Sequence, residues 1–97
     1  AGSIVIDLVR RQVTHNQDLI RLTATEFKLL AYLAAHTDRV LTHQAILTHV
    51  WGFEELDHIE YLRVYIGQLR KKLETNPYEP QIILTESGIG YRFKADD

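Results

Sequence analysis

The stretch from Tyr61 to Leu73 carries Arg63, Arg70, Lys71 and Lys72 and no acid. Its apolar residues Leu62, Ile66, Leu69 and Leu73 recur at spacings of four, three and four. That period predicts a helix from about Ile59 to Glu74 with one buried face. The opposite face then presents Glu60, Arg63, Val64, Gly67, Gln68 and Lys71, flanked by Arg70 and Lys72. These residue types suit the edges of base pairs. Gln68 can pair bidentately with an adenine, Val64 can touch a thymine methyl, and Arg63 can reach guanine or a phosphate. Arg70 and Lys71 stand near the helix end, where phosphate contacts give affinity without sequence information. The same cations also suit a plain solvated helix end facing its own dipole. Gly67 costs about 1 kcal/mol in a helix interior relative to Ala, which implies either the close approach of a ligand or a packing accommodation.

Two further segments can face the same ligand. Thr42, His43 and Gln44 open a second helix, whose free amides suit a phosphate; ordinary capping explains the same residues. Near the C-terminus, Thr85, Ser87 and the amides of Gly88 and Gly90 are placed to touch a minor groove. Arg92 either joins them or flanks the hairpin, and the alternating Tyr91 and Phe93 belong to the core.

The elements that must position these groups are legible as well. Ile4 to Leu8, Gln12 to His15 and Leu19 to Leu22 alternate apolar and polar residues, with Asn16 and Gln17 as a tight turn. They predict a small antiparallel N-terminal sheet. Thr23 to Glu26 reads as a capping box, and Leu22 with Phe27 as a hydrophobic staple. Phe27, Leu30, Ala31 and Ala34 continue that helix to about His36. Thr42 caps the second helix, His43 to Val50, which Trp51 and Gly52 end. Asn76, Pro77 and Pro80 stop the long helix. Gln81 to Thr85 and Tyr91 to Lys94 form a hairpin around Glu86 to Gly90. Strands, three helices and a hairpin in this order make an α+β winged helix-turn-helix, the hairpin being the wing.

Composition narrows the function. Ninety-seven residues make one small domain, 45% hydrophobic and 25% charged. Residues 1–3 are expected to be a cloning scar and residues 4–95 the domain. No apolar run is long enough to span a membrane and no signal peptide is expected, so the cytoplasm is the expected location. There is no cysteine, which removes disulfides and thiolate chemistry. The net charge of −2 argues against a nucleic-acid binder, but it is segregated, with Glu54, Glu55, Asp57 and Glu60 upstream of the basic helix. The histidines His15, His36, His43, His49 and His58 show no ligand spacing, so no metal or other cofactor is expected. Ser87 has no neighbouring base, and no catalytic motif is present, so the chain is not expected to be an enzyme. The rival reading is a winged helix used for protein binding through the acidic loop and Trp51.

Leu22 to Leu30, Val50 to Gly52, Leu62 to Leu73 and Gly88 to Phe93 resemble the effector domain of OmpR/PhoB-type response regulators. The resemblance runs from Ile4 to Lys94, and Tyr61 to Gly67 and Thr85 to Phe93 look most like its potassium-uptake branch. It implies sequence-specific binding of double-stranded DNA and control of transcription of potassium-transport genes. It also implies a receiver domain, absent from this chain, that is phosphorylated by a sensor kinase. Two effector domains then sit in tandem on direct repeats, with the helix from Ile59 in the major groove and the wing at the neighbouring minor groove. The loop from Gly52 to His58, with Glu54, Glu55 and Asp57, then faces RNA polymerase or simply solubilises. Many relatives carry Arg where Ser87 stands, and basic residues where Gly67 and Gln68 stand. Weak, less electrostatic binding is therefore expected of the isolated domain. It is expected to be a monomer off DNA, since no self-complementary apolar helix face remains once the core is built.

Overall fold

The computed structural model describes residues 4–52 and 58–94. Glu54, Glu55 and Asp57, the expected polymerase-facing acids, lie outside the described residues. Strands β1 (Ile4–Asp7), β2 (Gln12–His15) and β3 (Asp18–Ile20) form an antiparallel sheet in chain order. Asn16 and Gln17 turn between β2 and β3 with φ of 52° and 72°, the paired positive values of a tight hairpin turn. The two-residue period sends Ile6, Val13 and Ile20 to the core and leaves Val5 and Leu19 on the outer face. The third strand is shorter than the alternation from Leu19 to Leu22 implies, because Thr23 already caps the next helix.

Helix α1 (Ala24–Ala35) begins with the expected capping box. The Glu26 amide donates to Thr23 Oγ1 at 3.2 Å, and the Thr23 amide donates to Glu26 Oε1 at 2.9 Å. Its inward stripe is wider than the periodicity suggested: Leu29 and Leu33 are fully buried beside Phe27 and Leu30, while Ala31 and Ala34 are half-buried. Helix α2 (His43–Trp51) is capped by Thr42 and stopped at Gly52, whose φ of 79° is left-handed. Helix α3 (Ile59–Leu73) buries Leu62, Ile66, Leu69 and Leu73, so the four-three-four spacing identified its inner face.

One strand escaped the sequence. Leu41 and Thr42 form β4 and pair with β6 (Gly90–Phe93), which pairs in turn with β5 (Ile83–Glu86). Two residues carry no readable period. Gly90 makes the pairing possible, because a Cβ there would stand 1.8 Å from the Leu41 carbonyl oxygen. The wing is thereby stitched to the start of α2, and its arms sit one or two residues from their expected positions.

Candidate nucleic-acid interface

The outward face of α3 is built as the spacing implied. Glu60, Arg63, Val64, Gln68 and Lys71 are exposed, with Val64 at 57%. Arg63 Nη1 donates to Glu60 Oε1, an exposed pair one turn apart and weak in water. Among the described residues, Gln68 and Lys71 make no side-chain hydrogen bond or ion pair, so both are available to a ligand. Gly67 lies between them and Val64. A Cβ on Gly67 would meet nothing within 4 Å. Packing inside the domain therefore does not require this glycine.

The basic end of the helix is organised differently, and one expectation changes. Arg70 was expected at phosphates, but its guanidinium turns in towards the wing. Nε and Nη2 donate to the Ile83 carbonyl oxygen at 3.1 and 2.8 Å, and Nη2 also reaches Thr85 Oγ1 at 2.8 Å. The group lies 5.7 Å from the centre of the Tyr91 ring. Burial draws its pKa below the ordinary arginine value, against the opposing pull of Tyr91 and Glu74. Lys72 Nζ donates to Glu26 Oε1 at 2.6 Å, tying α3 to α1. Burial alone raises the Glu26 carboxyl, but Lys72 and the Thr23 amide outweigh it and hold the group below its usual value. Of the consecutive cations Arg70, Lys71 and Lys72, only Lys71 is left without such a partner.

The start of α2 follows the capping reading. The His43 amide donates to the Ile89 carbonyl at 3.0 Å, and the Ala45 amide donates to Thr42 Oγ1 at 3.0 Å. The His43 and Ala45 amides are thus engaged by the wing and the cap, the capping alternative of the two the sequence left open. The His43 ring stands edge-on to Tyr91, with centroids 5.7 Å apart. Burial lowers its pKa, and the charge of Arg63 lowers it further. In the wing, Ser87 and Gly88 are exposed and Gly88 has a φ of 75°. Thr85 is exposed, but its hydroxyl serves Arg70. Of its two readings Arg92 takes the hairpin one: it pairs with Glu86 at 3.2 Å and Asp38 at 3.8 Å, so it braces the hairpin base.

One organising residue had no legible role. Glu74 is 8% exposed, and its carboxylate accepts the amides of Gln81, Ile82 and Ile83 at 2.8 to 3.1 Å. It fixes where β5 begins relative to the end of α3. Its place just beyond the helix was the sole available signal. Trp51, which the protein-binding reading needs as a contact, is half-buried edge-on to Tyr61 and Tyr65 at 5.4 and 5.2 Å. Among the described residues no group of three His, Asp or Glu side chains is placed to hold a metal, and no helix is long and apolar enough to cross a membrane.

A helix-turn-helix, an outward helix face with unpaired polar groups and a wing stitched beside it find direct counterparts. Residues 16–93 match the family described as transcriptional regulatory protein, C terminal. The chain belongs to the OmpR/PhoB-type response regulators, as their C-terminal DNA-binding domain. It is 43% identical over 92 residues to the KDP operon transcriptional regulatory protein KdpE of Escherichia coli, covering 95% of this chain and 41% of that one. It is 47% identical over 90 residues to the response regulator MprA of Mycobacterium avium, covering 93% of this chain and 39% of that one. The chain therefore spans about two fifths of the length of these relatives. The Klebsiella pneumoniae RstA DNA-binding domain, solved in complex with the RstA box, superposes with a TM-score of 0.89 at 34% identity, over 96% of this chain and 92% of that one. Members of the OmpR/PhoB family are DNA-binding transcription regulators, and this domain is one of them rather than an enzyme.

Proposed function

We propose that this OmpR/PhoB-type domain reads duplex DNA sequence-specifically, with α3 in the major groove and the wing at the adjacent minor groove. The observation that carries the reading is the α3 face itself. Val64, Gln68 and Lys71 surround a glycine whose side is open space, so a base-pair edge can approach the helix backbone more closely there than anywhere else on that face. Val64 suits a thymine methyl, Gln68 an adenine, and Arg63 a guanine once it exchanges Glu60 for the base. Lys71 takes a phosphate. Arg70 supports the reading indirectly by setting the wing against α3, and Arg92 by bracing the base of the hairpin.

Two domains bind head to tail on direct repeats, driven by a receiver domain that a sensor kinase phosphorylates, and the isolated domain is a monomer. The regulated genes are those of potassium transport, supported by the identity with KdpE. The comparable identity with MprA makes the target a matter for measurement. RNA polymerase is the partner of the acidic loop of the copy at the end of the row, where no neighbouring domain covers it, and the cytoplasm is the location.

Fluorescence anisotropy tests this with a duplex from the Escherichia coli KDP promoter beside a scrambled duplex, at two salt concentrations. Tighter binding to the promoter that survives salt is expected. With few unpaired cations on the α3 face, the salt slope is shallow, about 2 to 4. Equal, salt-steep binding to both duplexes overturns specific readout by the potassium promoter. No binding to either favours the protein-binding alternative.

A further inference from the structure

Away from α3, the outward side of α1 and the turn between β1 and β2 enclose a groove of about 530 Å³. Its rim carries two cations, Arg11 from the turn and Lys28 from α1, with the imidazoles of His36 at the α1 cap and His49 on α2 beside them. Among the described residues no carboxylate lines it. Its floor is aromatic and small. The Arg11 guanidinium sits 4.7 Å above the Phe27 ring, and Tyr32 stacks on His49 at 3.9 Å and 12°. Beside the groove the turn exposes Leu8 at 67% and Val9 at 94%. The turn is held in that shape by Asp7, whose Oδ1 accepts the Val9 and Arg10 amides at 3.0 Å. A chain of net charge −2 thus sets Arg11 and Lys28, with no carboxylate among the described lining residues, around an apolar floor on a face that the DNA reading leaves idle.

We infer that this groove receives an acidic, apolar peptide segment, namely residues 53–57 of a second copy. The sequence Phe53-Glu54-Glu55-Leu56-Asp57 alternates the two chemistries the groove offers, acids for Arg11, Lys28 and the imidazoles, and apolar side chains for Phe27, Tyr32 and the Leu8-Val9 turn. The contact is heterologous, groove to segment, so it propagates along a row of copies in one orientation. Direct repeats impose such a row. Repeats hold neighbours at an effective concentration of about 1 mM, so an intrinsic affinity of about 1 mM already yields measurable cooperativity while leaving the free domain monomeric. Only its use on DNA rests on the tandem reading above; the peptide contact does not.

The test has two arms. A capped peptide of residues 52–58 is titrated into isotope-labelled domain and amide shifts are followed. Saturable shifts confined to the β1–β2 turn and the outward side of α1 are expected, lost with K28E or with a peptide in which both glutamates are glutamine. Absent shifts, or shifts elsewhere, overturn the contact. In the second arm, binding to a two-repeat promoter duplex is compared with the same duplex bearing one repeat scrambled. K28E and E55K are each expected to lower cooperativity several-fold at unchanged single-repeat affinity, and their combination to restore it. No cooperativity in the unaltered domain, failure of E55K alone to reduce it, or weaker single-repeat binding by K28E overturns the assignment. The last result makes the groove a DNA surface. Peptide binding without any duplex binding keeps the contact and removes the potassium-promoter reading.

Discussion

Arg70 and Lys71 are adjacent in sequence and belong to two different regions of α3. The inward end of the helix, with Arg70, Lys72 and Glu74, spends its charges on the hairpin and on α1. The outward face, with Val64, Gly67, Gln68 and Lys71, keeps its polar groups uncommitted. A local excess of positive charge is therefore a poor guide to ligand contacts in a domain this small. Much of the charge is needed to join elements that share too little apolar surface to be fixed by burial alone.

Variants on the two sides separate these roles. The largest loss of stability is expected for Glu74→Ala, which strands the buried amides of Gln81, Ile82 and Ile83 and costs about 3 kcal/mol in urea unfolding. A loss below about 1 kcal/mol would show that the inward end is less structural than its geometry. Arg70→Ala is expected to cost about 2 kcal/mol and to weaken DNA binding through the displaced wing, with Arg70→Lys restoring little because the forked donor is gone. DNA binding lost at full stability would return Arg70 to the outward group.

Gly67→Ala moves the two readouts in opposite directions. Thermal stability rises by about 1 kcal/mol from helix propensity, while specific DNA affinity falls roughly tenfold as the methyl meets the base edge. Unchanged affinity would mean that nothing approaches this glycine closely. Lys71→Ala leaves stability within about 0.5 kcal/mol and lowers the salt slope by about 1, as loss of one phosphate contact requires. The smallest effect concerns His43. Its folded pKa is lowered, so the folded state holds the proton less tightly than the unfolded chain. Stability contributed by neutral His43 is complete above the ordinary histidine value of about 6.5 and declines as pH falls below it. His43→Asn should flatten that decline in pH-dependent unfolding.

Legibility followed the range of the interactions. The capping box at Thr23 and Glu26, the cap at Thr42, the left-handed stop at Gly52 and the inner stripe of α3 are set by residues within one or two turns, and all were read in place. β4 was missed because a two-residue strand exists only through its pairing with β6. The outward face of α3 was readable as a set of exposed residues. Which of the flanking cations stay available was not, since Arg70 is engaged 13 residues away and Lys72 46 residues away.

By itself, the sequence determined the order of the elements other than β4, the inner stripe of α3 and the family. Each depends on spacing, caps and motifs carried along the chain. Tertiary structure alone decided that Arg70, Lys72 and Arg92 serve the fold, that the His43 and Ala45 amides are engaged, and that Gly67 faces open space. Those outcomes depend on which carbonyl or carboxylate the packed core brings within hydrogen-bond reach, and no periodicity encodes that.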